Sequence, residues 1–425
     1  MQLVIIRYIV FNILFALGVV SIAHAMPLEE LDSLKQQLEN TEASKKAELY
    51  IKIANHFVIS NIDSALFYAE KALENAYGAE NRSLEAEAYF VMGEALADNN
   101  QNNESIQYYE KALEVYGEIH DEGNIHLIYT RLGLVYFYLG QYENAISYQQ
   151  RAIEYYLNQK DKVNLAKTYH NLGMIYNELK DAKKAITFYE KAMIFYKEIN
   201  DQESVAALLQ NLGVSYSQSN NEVKALEHYN KSLEIYENIQ NDYGIAISKV
   251  NIGSILMKQN RIGRAINNFE MALAYFLQNN LPWETSLTYL DLGEAHAKNG
   301  DTDIALDYLQ KGIGLSKKHN YSANESEFYK MFSTVHEKAG NYKLAFENFQ
   351  KYALLEDTIF RNESAKRIEE LEARFNIMAK ENELSETEAQ LKNQRFQKFI
   401  YIALLFLIMV LGTFVVINFR RKEKA

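Results

Sequence analysis

The stretch YHNLGMIYNELKDAKKAITFYEKAMIFYKEINDQ, Tyr169 to Gln202, decides the fold because the chain restates it at a fixed interval. Forty residues on stands LQNLGVSYSQSNNEVKALEHYNKSLEIYENIQND, and forty after that KVNIGSILMKQNRIGRAINNFEMALAYFLQNN. A fixed period is read first, since it sets the architecture. One column holds Gly93, Gly133, Gly173, Gly213, Gly253 and Gly293, with Ser333 as its next member. Twelve residues later come Ser105, Ala145, Ala185, Ala225, Ala265, Ala305 and Ala345; seven further on, Ala112, Ala152, Ala192, Ser232, Ala272 and Gly312. Large residues frame these small ones: Tyr89, Tyr129, Tyr169, Tyr289 and Tyr329 four before the glycine column, and Tyr136, Tyr176 and Tyr216 three after it. Three- and four-residue spacings around a small residue describe a helix stripe that a partner approaches closely. Each unit carries two such stripes and a short polar break, so it reads as a helix hairpin that buries its apolar surface only by stacking on its neighbours.

Composition agrees with long helices. The 425 residues include 31 tyrosines and only two prolines, Pro27 and Pro282. Proline breaks helices, and tyrosine supplies large packing surface. A net charge of -12 argues against a surface built to neutralise phosphates, so nucleic acid is not an expected partner. With no cysteine there is no thiol chemistry, thiolate zinc site or disulfide.

The two ends are apolar in different ways. Residues 1–25 place Arg7 before an apolar run that closes on Ala23-His24-Ala25, the pattern of a cleaved export signal; an uncleaved anchor is the alternative. Residues 399–418 begin with FIYIALLFLIMVLGTFVVI, long enough at 1.5 Å per residue to cross the ~30 Å hydrocarbon layer. Lys392, Arg395 and Lys398 precede it, and Arg420, Arg421, Lys422 and Lys424 follow more densely, which favours a cytoplasmic C-terminus. The expected order is signal peptide 1–25, capping helix 26–46, repeat array 47–354, helical stalk 355–398, transmembrane helix 399–418 and short cytoplasmic tail 419–425. The array is then periplasmic, tethered to a bacterial inner membrane. In the stalk, Ile368, Leu371, Phe375 and Met378 follow heptad spacing before the register lands on Asn382 and Ser385. A dimeric coiled coil and a single solvated helix both fit that pattern.

Tyr169, Leu172, Gly173, Tyr176, Ala185, Tyr189 and Ala192 are where the chain resembles the tetratricopeptide repeat family. Its forty-residue period departs from the usual 34 and resembles the longer-helix subtype of kinesin light chains. The resemblance implies an all-α right-handed superhelix, a solenoid of about eight hairpins from Ala47 to Tyr352, and a concave groove that receives a protein or peptide. At ~100° per residue, Lys167, Asn171, Met174 and Glu178 lie opposite the packing stripe, on the side that lines the groove in this family. The column through Asn171 reads Val91, Arg131, Asn171, Asn211, Asn251, Asp291 and Met331. In kinesin-light-chain-like relatives such an asparagine ladder clamps peptides; local helix contacts are the other reading. The column Asp98, Tyr138, Glu178, Gln218, Lys258, Lys298 and Lys338 turns from acidic to basic, which could orient a charged segment or be solvated surface.

No nucleotide, zinc-protease or hydrolase motif occurs, so no catalytic residue, metal ligand or cofactor is expected. His296 and His336 share a column forty apart, but it is the tyrosine packing column, so both read as structural. Two functions remain: a membrane-anchored scaffold or receptor that binds through its groove, and the input half of a signalling protein. The order of leader, array, charged helix and span resembles bacterial sensors in which a histidine kinase or DNA-binding domain follows. With only Arg420 to Ala425 after the span, such an effector would act in trans or in a longer form.

Overall fold

The structure, a computed structural model, describes residues 28–361. The expected signal peptide, the expected stalk beyond residue 361, the expected transmembrane segment and the expected tail lie outside the described residues. Among the described residues there are seventeen helices and no strand. Helix α1 spans Leu28–Asn40. Eight hairpins follow: α2 (Ala43–Phe57) with α3 (Ile62–Gly78), α4 (Arg82–Asp98) with α5 (Asn102–Glu118), α6 (Glu122–Tyr138) with α7 (Tyr142–Gln159), and α8 (Lys162–Glu178) with α9 (Ala182–Glu198). Then come α10 (Gln202–Gln218) with α11 (Glu222–Asn238), α12 (Asp242–Lys258) with α13 (Ile262–Gln278), α14 (Pro282–Asn299) with α15 (Thr302–Lys318), and α16 (Ser322–Lys338) with α17, residues 342–361. The first hairpin opens at Ala43, a turn earlier than the sequence pattern suggested, because α1 already ends at Asn40.

The turns explain the constant length. From Glu80 to Gly340 a residue in the left-handed conformation recurs every twenty residues. Six of these positions are Asn and three are Gly, the residues that enter that region most readily. The next amide closes the helix end, as when Asp181 N–H donates to the Tyr176 carbonyl at 2.9 Å. That same residue then caps the following helix, the Asp181 carboxylate accepting from Lys184 N–H at 3.1 Å. Asn81, Asp121, Asp161, Asp201, Asn221 and Asn241 do likewise. Each such cap is worth ~1 kcal/mol.

The chain forms two units, residues 28–324 with 338–340, and residues 325–337 with those from 341 onward. In the first, the six hairpins from α4–α5 to α14–α15 each close through a glycine. A Cβ on Gly173 would sit 2.4 Å from the Tyr189 ring, and one on Gly213 2.4 Å from Tyr229. Gly93 faces Tyr109, Gly133 faces Gln149, Gly253 faces Phe269 and Gly293 faces Leu309 in the same manner. The glycine column therefore receives a second-helix side chain sixteen residues later in its own hairpin. Continuous apolar clusters link one hairpin to the next, making this unit a solenoid. In the second unit, Ser333 replaces the glycine and its hydroxyl donates to the Ala345 carbonyl at 2.8 Å.

Candidate functional site

All nine expected groove residues lie on first helices of the solenoid, but their exposure differs. Arg131, Glu178 and Asp291 are partly buried, and Lys258 and Lys298 are exposed. Asn171, Asn211 and Asn251 are only 3–4 % exposed, and Met174 only 6 %. The asparagines, expected on the groove side opposite the packing stripe, are thus buried. Successive first helices close on one another along this face, a contact that a helical wheel of one hairpin does not contain.

The closure is polar. Asn211 Nδ2 lies 2.6 Å from His170 Nε2, the Ser215 hydroxyl donates to Asn177 Oδ1 at 2.8 Å, and Gln210 Nε2 donates to the Ser248 hydroxyl at 3.0 Å. Lys258 Nζ donates to the Ser217 hydroxyl at 2.7 Å, Asn241 Nδ2 to Glu203 at 3.0 Å, and the Tyr243 hydroxyl to Glu284 at 3.2 Å. Each bond spans 38–41 residues and so joins adjacent repeats. Burial holds His170 down to about 4, so at neutral pH it is uncharged and its Nε2 accepts from Asn211. Nothing in the glycine-and-tyrosine pattern marked His170, Gln210, Ser215 or Ser248. Their signal was the forty-residue offset between polar residues on buried positions of neighbouring first helices.

Above this seam runs the column that begins at Asp98. Burial, with Glu94 adding to it and Arg131 opposing, pushes Asp98 up to about 6. Glu94 itself is engaged: Arg131 Nε is 3.2 Å away and the Tyr109 hydroxyl donates to it at 2.5 Å. At the next three positions, the Tyr138 hydroxyl, Glu178 Oε2 and both polar atoms of the Gln218 amide are shielded and have no hydrogen-bond partner among the described residues. Asn251 Nδ2 shares that condition. Burial lowers Lys258, with Glu222 opposing. The face thus carries carboxylates towards one end, Glu94 paired with Arg131 and Glu178 near Lys180, phenol and amide groups without hydrogen bonds in the middle, and lysines towards the other.

His296 packs as expected of a structural residue, stacked on Tyr308 with its Nδ1 3.1 Å from Asp301. Among the described residues no group of three or more His, Asp or Glu side chains is placed to hold a metal.

Tetratricopeptide repeat family models match residues 124–198, 164–238, 86–118 and 287–319. The chain carries tetratricopeptide repeats. No curated protein matches it at a significant level. Among solved structures, the tetratricopeptide array is similar to a signal transduction ATPase with numerous domains from Pyrococcus horikoshii that has a tetratricopeptide repeat sensor. The TM-score is 0.59 at 15% identity, over 82% of this chain and 53% of that one, so the chain spans about half of that protein's length. It is also similar to the Rap conjugation gene regulator of plasmid pLS20 in complex with the Phr* peptide, with TM-score 0.53 and 12% identity over 78% of this chain and 95% of that one. A Rap protein complexed with competence and sporulation factor gives TM-score 0.51 and 15% identity over 75% and 99%. Kinesin-light-chain-like repeat proteins are among the more distant structural neighbours. At these identities the likeness is one of fold.

Proposed function

We propose that the tetratricopeptide array binds a protein or peptide segment along the face formed by its first helices. The observation that carries this reading is the row of shielded polar atoms without hydrogen bonds at Tyr138 Oη, Glu178 Oε2 and the Gln218 amide, one residue per repeat. Leaving such groups unpaired costs ~1–3 kcal/mol each, and a ligand towards which these half-buried side chains turn would recover it. Neighbouring helices lie ~8–10 Å apart, close to three residues of extended chain at ~3.3 Å each, so an extended segment can keep step with the repeats. Arg131, Glu178, Asp291, Lys258 and Lys298 are the groups accessible to it, with Asn171, Asn211, Asn251 and Met174 beneath. The complexes of the two Rap proteins, one with the Phr* peptide and one with competence and sporulation factor, support the reading.

The array is held outside the cytoplasm by the expected signal peptide and the 399–418 span, with the C-terminus inside. Among the described residues no helix is long and apolar enough to cross a membrane. A reporter active only outside the cytoplasm should be active when fused after Lys398 and silent after Ala425; the reverse would overturn the topology. The sensor in the Pyrococcus protein favours a second reading, in which occupancy of the array is relayed to an effector in trans.

Binding is tested by cross-linking. A partner recovered on the wild-type array should be lost when Glu178 and Gln218 are both changed to Lys, with helicity unchanged. Retention at equal strength would place binding elsewhere.

A further inference from the structure

The tyrosine column that stands four residues before the glycines breaks at Leu209 and Lys249. In the three repeats before Leu209, the tyrosine packs on its own second helix beneath a cation. Tyr169 stacks on Phe188 and Phe195 with ring centroids 6.3 and 6.0 Å apart, and Lys191 Nζ lies 5.3 Å from the Tyr169 and Phe188 centroids. Lys111 covers Tyr89 and Tyr108 in the same way, and Arg151 covers Tyr129 and Tyr148. Forty residues after Lys191 stands Lys231, where the cation is kept and the rings are replaced. Leu209, His228 and Ile235 hold the places of Tyr169, Phe188 and Phe195. Among the described residues Lys231 covers no phenyl or phenol ring, and it donates to the exposed Glu227 carboxylate at 2.7 Å. At Lys249 the cation is lost too, since Met271 stands forty residues after Lys231.

These replacements leave a pocket of about 520 Å³ between α9 and α11, with α10 beneath. That lies within the ~300–1,000 Å³ of small-molecule sites. Buried Val205, Leu209 and Leu212 of α10 form the floor, and Met193 of α9 and Ile235 of α11 add apolar wall. The rim residues Glu190, Lys197 and Glu234 are exposed and carry both signs. His228 also lines the pocket; with its Nδ1 against the Lys224 carbonyl at 2.8 Å, the neutral imidazole leaves Nε2 as an acceptor for a hydroxyl. None of the nine groove residues lines this pocket, so it is separate from the first-helix face.

We propose that the pocket binds one small, uncharged aromatic molecule of the phenol class, its ring in the place that Tyr169 holds one repeat earlier. The apolar floor buries the ring, and the Lys231 ammonium meets its face as Lys191 meets Tyr169. A charged molecule would lose hydration over that floor and gain nothing from a rim of both signs. Because Tyr169 closes the same place in the preceding repeat, the opening is a pocket and not a groove for a chain segment to follow.

The test uses the full chain in detergent with carbon-13 methyl-labelled methionine, the Met193 signal being assigned by its loss in Met193→Leu. p-Cresol, the tyrosine side chain in free form, should shift the Met193 signal saturably. Its saturated counterpart 4-methylcyclohexanol should bind about two- to fivefold more weakly, and Lys231→Gln, at an exposed position, should weaken p-cresol by a similar factor. Leu209→Tyr and Ile235→Phe each restore a ring that the preceding repeat has, and each should abolish the response to p-cresol. A Met193 signal that p-cresol does not move, or an unchanged response in both ring-restoring variants, would overturn the proposal. So would equal binding of 4-methylcyclohexanol, or tighter binding of a Gly-Gly-Tyr-Gly-Gly peptide, which would make the occupant a partner's side chain.

Discussion

Gly213→Ala is the sharpest probe of the hairpin geometry, because two opposing effects of known size meet there. A methyl on Gly213 would lie 2.4, 2.7 and 2.8 Å from Cε1, Cδ1 and Cζ of Tyr229. Relaxed carbon contacts are ~3.5–4.0 Å, so the ring or the helix must move by about 1 Å. Tyr229 is 3% exposed and cannot swing into solvent. Overpacking of this kind costs about 1–3 kcal/mol, while alanine in place of glycine in a helix gains about 1 kcal/mol. The net is a loss of up to about 2 kcal/mol. Gly314, also within a helix, has nothing within 4 Å of the added methyl, so Gly314→Ala shows only the gain, about 0.5–1 kcal/mol. Denaturant midpoints of the two variants should therefore move in opposite directions from the parent. On a Tyr229→Ala background the clash disappears, and Gly213→Ala should become neutral or stabilising. If Gly213→Ala stabilises the parent as much as Gly314→Ala does, the close approach is not there and the register of the hairpins is wrong.

Other outcomes follow from the polar seam. His170 is held at about 4 against an ordinary 6.5, so the unfolded chain takes up its proton first as pH falls. Its contribution is present above about pH 6.5 and is lost between there and about pH 4, by at most about 3 kcal/mol; His170→Gln should flatten that part of the midpoint-versus-pH curve. Asp98 behaves oppositely: with its value raised to about 6, stability falls as pH rises through about 4 to 6, so Asp98→Asn should melt higher at pH 7 and converge with the parent near pH 4. Replacing Asn171, Asn211 and Asn251 together by Ala should lower the midpoint measurably, since losing Asn211 alone leaves a buried imidazole unpaired at a cost of about 1–3 kcal/mol.

Much of the fold could be read from the residues. The glycine column, its aromatic neighbours and the forty-residue period specify hairpins, because small-on-large packing repeats wherever the geometry repeats. The turn positions were legible only in part: Asn100, Asn200, Asn220, Asn260, Asn280 and Asn320 mark left-handed residues by type, whereas Glu80, His120, Lys160, Lys180 and Gln240 do not. The site was less so. A 100° wheel puts Asn171 opposite the hairpin partner, but that side of one first helix meets the next first helix, forty residues away. His170, Asn211, Gln210 and Ser248 are joined by that stacking, which depends on how closely repeats approach and not on any one helix's periodicity.

Site-specific photo-cross-linking within the array tests the central claim most directly. A photoreactive side chain at Gln218, on the first-helix face, should yield a discrete adduct with a protein or peptide in the native cell, and the same group at exposed Glu190 on α9 should not. Excess unlabelled array should compete the adduct away. Adducts at Glu190 and none at Gln218, with both proteins folded, would contradict binding along the first-helix face.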